Sequence, residues 1–529
     1  MKTFIWLSID VRLADRSVQV AHVGYLLDPG RTPRDACTRP FIAKESNVRA
    51  PPSSAKAASR RPLLLGILAC LLAASAAGAA FAFSSPLFSS GDESAHVDYA
   101  YQVWTGSLPE FHAGLVIKPG FGFVPPVQWV SQHPPLYYLI QAPVVGPLID
   151  SGHYLAAGYA ARAVNAMLAA LLVGAVGWAA AQAFPRRPQL WLAAALVTAV
   201  NSWVVRVGGS VYNDLLCALC ATLVLGITIR SLHRGATLRR DILVTLAAAA
   251  ALATRASLIV VVAGCLTVLV IHRGLTTRSW LSTIHATGRY AIVGIAALVP
   301  SAWFYLRNLR LTGRLLGGDP GWAQANLHIT PRPTLDVFTD PKSWKSLAAV
   351  FSYGAFERDL MTSLLLVLPL VLAIAAAVLI RRRTGGGGSL AAHETFGLVA
   401  GTALATVAMQ LQYAAGGSGL NPRYLMPLVL AISLGVAYGL TQLPRAGLLL
   451  LVPWVFLTIS DLVVWVARAS ATGPPAGAPY PTAAWAAVMV CVAAVAISLS
   501  YHVALTRATQ PRRRATPVAA TAHPSEGNS

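Results

Sequence analysis

Long apolar runs separated by short charged turns dominate this chain. Windows of about 20 apolar residues, enough to cross a hydrocarbon core as helix, recur near 62–84, 160–183, 189–206, 211–230, 289–306, 361–380, 396–414, 424–442, 446–468 and 482–504. Two shorter runs, near 241–254 and 256–272, read as a tight hairpin turning at Thr254-Arg255. The stretch 134–149 is short and carries Pro134, Pro135, Pro143 and Pro147, so it reads as a juxtamembrane or re-entrant element and not as a crossing. The pattern predicts an all-α, polytopic membrane protein of about 12 transmembrane helices. Two long polar stretches, 85–159 and 307–360, are predicted as loops carrying juxtamembrane helices. Both exceed what a simple connection needs, which favours function over linkage.

Charge orients the pattern. Arg186, Arg187, Arg230, Arg234, Arg239, Arg240, Arg273, Arg278, Arg381 to Arg383, Arg445 and Arg512 to Arg514 all fall on one side of the predicted crossings. The positive-inside rule makes that side cytoplasmic. Both termini are then inside and both long loops outside, in a multi-pass protein of the cell membrane. Composition agrees: 55% of residues are hydrophobic and 12% charged, with mean hydropathy +0.58, against roughly 25% charged in soluble proteins. The net charge of +21 is spread over short turns, where orientation and anionic headgroups account for it, so no nucleic-acid partner is expected. Residues 1–61 lack a signal-peptide core after Lys2 and turn rich in Pro, Ala, Ser and Arg near 50–61, which reads as a flexible cytoplasmic arm. The transmembrane domain is placed at 62–505 and a basic cytoplasmic tail at 506–529, with Gly385 to Gly388 as a flexible link. No internal repeat of the kind common in secondary transporters is evident. Cys70, Cys217, Cys220, Cys265 and Cys491 fall in predicted helices and Cys37 in the arm. The C-x-x-C at Cys217 and Cys220 stands among aliphatic residues without a second ligand pair and reads as a packed helix face.

The polar residues that carry chemistry collect on the predicted outer face. Asp92-Glu93 lies just beyond the first apolar run, and carboxylates beside lipid are costly unless they act. Ser90 and Gly106 bound a predicted helix there, on which Val97, Tyr101 and Trp104 form an apolar stripe and Asp92 and His96 lie one turn apart. Glu93 has two readings, a capping box with Ser90 or catalysis; Asp92 is either an N-terminal acid or a reacting group. His133 opens H-P-P-L-Y-Y, which includes Tyr137; the segment reads as an interfacial approach or as a ligand contact. Tyr212-Asn213-Asp214 opens a helix, Arg255 caps the short hairpin, Arg307 ends a helix within W-F-Y-L-R-N, and Arg423 begins another within N-P-R-Y-L-M-P. These arginines either mark interfaces, pair with Asp92 and Asp214, or bind phosphate, which a guanidinium grips bidentately; their place on the side that the positive-inside rule disfavours favours phosphate.

These elements in this order, D-E-S-A-H, H-P-P-L-Y-Y, Y-N-D-L, W-F-Y-L-R-N with a following glycine, and N-P-R-Y-L-M-P, make the chain resemble the GT-C class of integral membrane glycosyltransferases. The likeness is to bacterial members of the protein O-mannosyltransferase and lipid A aminoarabinose transferase group, and to a related set of predicted membrane proteins, over about residues 62–470. The resemblance implies transfer of a sugar from a polyprenyl-phosphate donor with inversion, with Asp92 as the base and Glu93 as the second acid of the motif. In that chemistry Arg307, Arg423 and Arg255 would hold the departing phosphate, with His96, His133, Asp214 and Tyr137 in support. A divalent cation such as magnesium or manganese, bridging Asp92 or Asp214 to phosphate, would serve the same end. The acceptor, whether glycan, lipid or protein, is left open. The alternative is a multi-spanning transporter or lipid flippase of the cell envelope, which would place its key charges near the bilayer midplane. A third reading is a non-catalytic partner in envelope assembly.

Overall fold

The structure, a computed structural model, describes residues 4–8, 22–26, 53–348, 352, isolated helical positions between 367 and 378, and 389–417, 420–471 and 480–509. Contacts divide the chain into two compact units, Met1–Ser59 and Arg60–Ser529. In the first, β1 (Phe4–Ser8) pairs antiparallel with β2 (His22–Leu26), Phe4 opposite Leu26 and Ser8 opposite His22. These short aliphatic and aromatic runs are strand-forming. Residues 9–21 and 27–52, with Cys37, lie outside the described residues.

The helices follow in chain order. They are α1 (Ser53–Ser84), α2 (Gly91–Trp104), α3 (Leu136–Asp150), α4 (Tyr154–Ala183), α5 (Pro188–Ala199), α6 (Ser202–Gly208), α7 (Asp214–Arg234), α8 (Leu238–Leu252), α9 (Ile259–Thr277) and α10 (Trp280–Thr312). Short α11 (Pro320–Leu327), α12 (Thr334–Thr339) and α13 (Pro341–Ala348) precede α14 (Leu390–Ala415), α15 (Val429–Gln442), α16 (Pro444–Ala471) and α17 (Pro481–Thr509). Among the described residues of the second unit the secondary structure is all helical, that of an all-α polytopic membrane protein. Nine described helices are long and apolar enough to span a bilayer, ten if one bent pair counts as a single span. The expected twelve would also need α8, which has only 15 residues, and the helix expected at 361–380. Most of that stretch, like Arg381 to Arg383, Gly385 to Gly388 and the tail beyond 509, lies outside the described residues.

The single helix expected at 189–206 is broken. α5 and α6 meet at 56°, and the Asn201 side chain at the break accepts from the N–H groups of Trp203 and Val204, starting a new helix. The proline-rich stretch forms α3, whose 15 residues include Pro143 and Pro147. It receives the Val97–Tyr101–Trp104 side of α2: Tyr101 and Trp104 donate to the two oxygens of Asp150 at 3.0 and 2.8 Å. α4 and α7 form the centre, α4 packing on α5 and α7. The apolar window of α7 is 83% buried and that of α10 only 28%. Ile292, Ile295 and Val299 on α10, Phe456 on α16 and Met489 on α17 stand exposed, a surface that suits hydrocarbon and not water. Cys217 and Cys220 are both buried on α7.

Where α6 ends, backbone meets backbone. A Cβ on Gly209 would lie 2.5 Å from the Gly78 carbonyl oxygen and 2.7 Å from the Ala82 nitrogen of α1. Only glycine permits that approach, which brings the turn before α7 against the end of α1.

Candidate active site

Two residues of α4, one turn apart, organise the surrounding turns. Arg162 donates through Nε and Nη2 to the two oxygens of Glu93 at 2.7 and 2.8 Å. Its remaining N–H groups reach the carbonyls of Ala82 and Ser85 from Nη1 and of Pro86 from Nη2, at 2.7 to 3.0 Å. All five donors of the guanidinium are thereby used. Glu93 also accepts from the N–H groups of Phe88 and Val211, Phe88 being turned to φ 57°. This fastens α1, α2, α4 and the turn before α7 together. Asn165 extends the fastening: its side-chain N–H group donates to the carbonyls of Ser210 and Tyr212, and its oxygen accepts from the Tyr137 hydroxyl at 2.8 Å. Of the two readings of Glu93, the capping box with Ser90 is absent. Ser90 makes no side-chain cap; its hydroxyl bonds the Tyr212 hydroxyl at 2.8 Å, while the ion pair draws Glu93 away.

Asp92, the next residue back, points elsewhere and is 26% exposed. It is paired with Arg423, 331 residues along the chain, and Arg423 also donates to the Tyr424 hydroxyl. The guanidinium carbon of Arg423 lies 4.5 Å from the Tyr212 ring centre and 5.0 Å from that of Tyr424. On the same ring, also at 5.0 Å, is Arg255, which is paired with Asp214. The first turns of α2 and α7, the turn before α9 and the short helix Pro422–Leu428 thus bring two arginines and two carboxylates around Tyr424 and Tyr212. One polar atom is unanswered: Nε of Arg423 is buried without an acceptor.

Beside this group lies an aromatic wall. The His96 and His133 rings are parallel within 4° at 6.3 Å, and Tyr138 stacks on Tyr99 at 3.6 Å. Nδ1 of His96 is 2.9 Å from the Tyr138 hydroxyl, and the Tyr99 hydroxyl donates to the His133 carbonyl. Asp92 and His96 therefore hold different partners and do not pair with each other. Burial first, and then Arg423 and Arg255, push the His96 imidazole well below its ordinary range; burial, Arg255, His96 and Arg423 do the same to His133. Both rings are neutral at physiological pH. Arg307 stands apart from the arginine pair and donates to the carbonyls of Leu108 and Pro109, holding the 105–130 segment.

Sequence reasoning missed Arg162, Asn165 and Asp98. The signal for Arg162 was present: a lone arginine inside an otherwise apolar 30-residue helix requires a partner. Asp98 is fully buried and accepts from the N–H groups of Val116 and Ile117 and from Gln102 and Gln128, at 2.7 to 2.9 Å. It pins the loop after α2, and burial raises its carboxyl above the ordinary range. For a divalent cation the donor set is poor. Asp92 and Asp214 are each engaged by an arginine, and no group of three His, Cys, Asp or Glu side chains suited to a metal occurs among the described residues. These residues do not fit a magnesium or manganese site as arranged.

No protein-family model matches the chain, and no curated protein matches it. Among solved structures it is similar to ArnT from Cupriavidus metallidurans in the apo state, at 15% identity over 86% of this chain and 78% of that one, with a TM-score of 0.47. The same protein bound to undecaprenyl phosphate matches at 15% identity over 83% and 77%, with a TM-score of 0.41. The oligosaccharyltransferase of Archaeoglobus fulgidus in the apo form matches at 11% identity over 83% of this chain and 56% of its own length, with a TM-score of 0.40.

Proposed function

We propose that this protein is an integral membrane glycosyltransferase that moves a sugar from a polyprenyl-phosphate donor to an acceptor hydroxyl, with inversion, on the outer face of the cytoplasmic membrane. The observation that carries the reading is the group formed by Asp92, Arg423, Arg255 and Asp214 around Tyr424. It sets a partly exposed carboxylate beside two guanidinium groups, in a wall of aromatic rings, at the ends of apolar helices. Such a site supplies a base and a phosphate clamp together.

In the proposed step the acceptor oxygen attacks the anomeric carbon as its proton passes to the Asp92 carboxylate. The bond between that carbon and the phosphate oxygen breaks, and its electron pair leaves with the lipid phosphate. Arg423 and Arg255 would stabilise the negative charge that develops there, and the aromatic wall would exclude water. Glu93 is assigned the task of fixing α2, and with it Asp92, through Arg162. Arg307 is assigned to holding the loop after α2, through the carbonyls of Leu108 and Pro109. The arginine-rich turns at the opposite helix ends support cytoplasmic termini. The acceptor class, glycan, lipid or protein, follows from the loops and not from this group.

The test is sugar transfer from labelled polyprenyl-phosphate donors by purified, detergent-solubilised protein. Asp92→Asn should lower turnover by at least about 100-fold while the protein stays folded. Turnover within about threefold of wild type in this variant would remove Asp92 as the base.

A further inference from the structure

Of the three arginine–carboxylate pairs on this face, the two that hold the neighbouring acids Glu93 and Asp92 differ in construction. Arg162 grips Glu93 through Nε and Nη2 together, the side-on edge of the guanidinium, and both side chains are nearly inaccessible, at 2% and 3% exposed. Arg423 meets Asp92 through Nη2 alone. The Nε on the same edge has no acceptor, and the side chains are 11% and 26% exposed. The first pair is saturated and closed. The second is half made and open.

We propose that Asp92 and the donor's phosphate compete for the side-on edge of Arg423, so that the base is held by its arginine until the phosphate takes that edge. The proposal rests on the donor reading above. A phosphate presents two oxygens at the spacing that Nε and Nη2 accept together, and so answers the nitrogen that a single Asp92 oxygen leaves unpaired. Arg255, on the same Tyr424 ring, adds the second positive group on that side. Once displaced, the Asp92 carboxylate is free of its guanidinium and open to an acceptor hydroxyl. Donor binding thereby uncovers the base. An acceptor hydroxyl arriving first meets a carboxylate already engaged, so binding is ordered, donor before acceptor.

The experiment is equilibrium binding of a short-chain polyprenyl phosphate to the purified full chain, with the same-length polyprenol as control. Removing the competitor should strengthen binding: Asp92→Asn, although inactive, should bind the lipid phosphate about fivefold more tightly than wild type. In an Arg423→Gln background the same change should have no effect. If Arg423→Gln does not fold, Arg423→Lys, which keeps the charge and lacks the side-on edge, should shrink the Asp92 effect to less than about twofold. Unchanged or weaker binding by Asp92→Asn overturns the competition and leaves the donor reading intact, provided wild type still prefers the phosphate to the alcohol. Equal binding of phosphate and alcohol by wild type removes both.

Discussion

At the scale of single residues, Glu93 and Asp92 show how neighbouring acids in one motif meet opposite surroundings, one closed on Arg162 and one partly open beside Arg423. Buried charges are tolerable when paired and fully hydrogen-bonded, and removing one partner strands the other. Arg162→Met should therefore destabilise the protein by about 3–5 kcal/mol, visible as lost folded yield and a lowered melting temperature in detergent. Glu93→Gln turns one accepting oxygen into a donor that faces N–H groups and leaves the buried Arg162 charge unpaired, so its loss should be of similar size. A normal melting temperature for Arg162→Met would show that the saturated network in the structure does not hold the fold. Sequence alone could not separate Asp92 from Glu93, because adjacent side chains on a helix diverge by about 100° and their partners lie 69 and 331 residues away.

At the scale of elements, the helices were legible wherever apolar residues ran long enough, and their charged ends fixed the turns. The break between α5 and α6 was not legible, since Asn201 lies within a run that hydropathy alone reads as continuous. The break matters because it lays α6 across the end of α1 and delivers Val211 and Tyr212 to the site. Gly209 is the contact that permits this. Gly209→Val would drive its side chain into the Gly78 carbonyl and Ala82, separating the two helices. The expected outcome is a loss of about 2–4 kcal/mol in stability, with the proposed transferase activity falling further than the folded fraction does. Activity per folded molecule equal to wild type would show that the α1–α6 contact does not position the site.

At the scale of the whole molecule, His96 and His133 give stability a pH dependence whose sign is fixed. Both imidazoles have values lowered in the folded state, while the unfolded chain titrates near the ordinary value of about 6.5. Above that range neither state holds the proton and stability is flat; below it the unfolded state takes up protons that the fold refuses. The apparent melting temperature should fall as pH drops from about 6.5 to 5, with a shallower slope in His133→Gln. Asp98, raised in the fold, works in the opposite direction at more acid pH. A flat profile down to pH 5 would contradict the buried neutral pair. The gross architecture was legible because a bilayer leaves so few ways to satisfy a backbone. The site was legible only as a set of candidates, since which carboxylate meets which arginine is decided by packing between distant helices.

The two ion pairs also differ in when they can form as the chain is made. Glu93 has already emerged when α4 follows it, so Arg162 meets its carboxylate only 69 residues later, and the first four helices can fasten to one another while the ribosome is still at work. Arg423 arrives 331 residues after Asp92. A ribosome that stalls in between would leave an assembled scaffold whose Asp92 carboxylate lacks the guanidinium it pairs with. The protein is braced early in its synthesis and completed near the end of it.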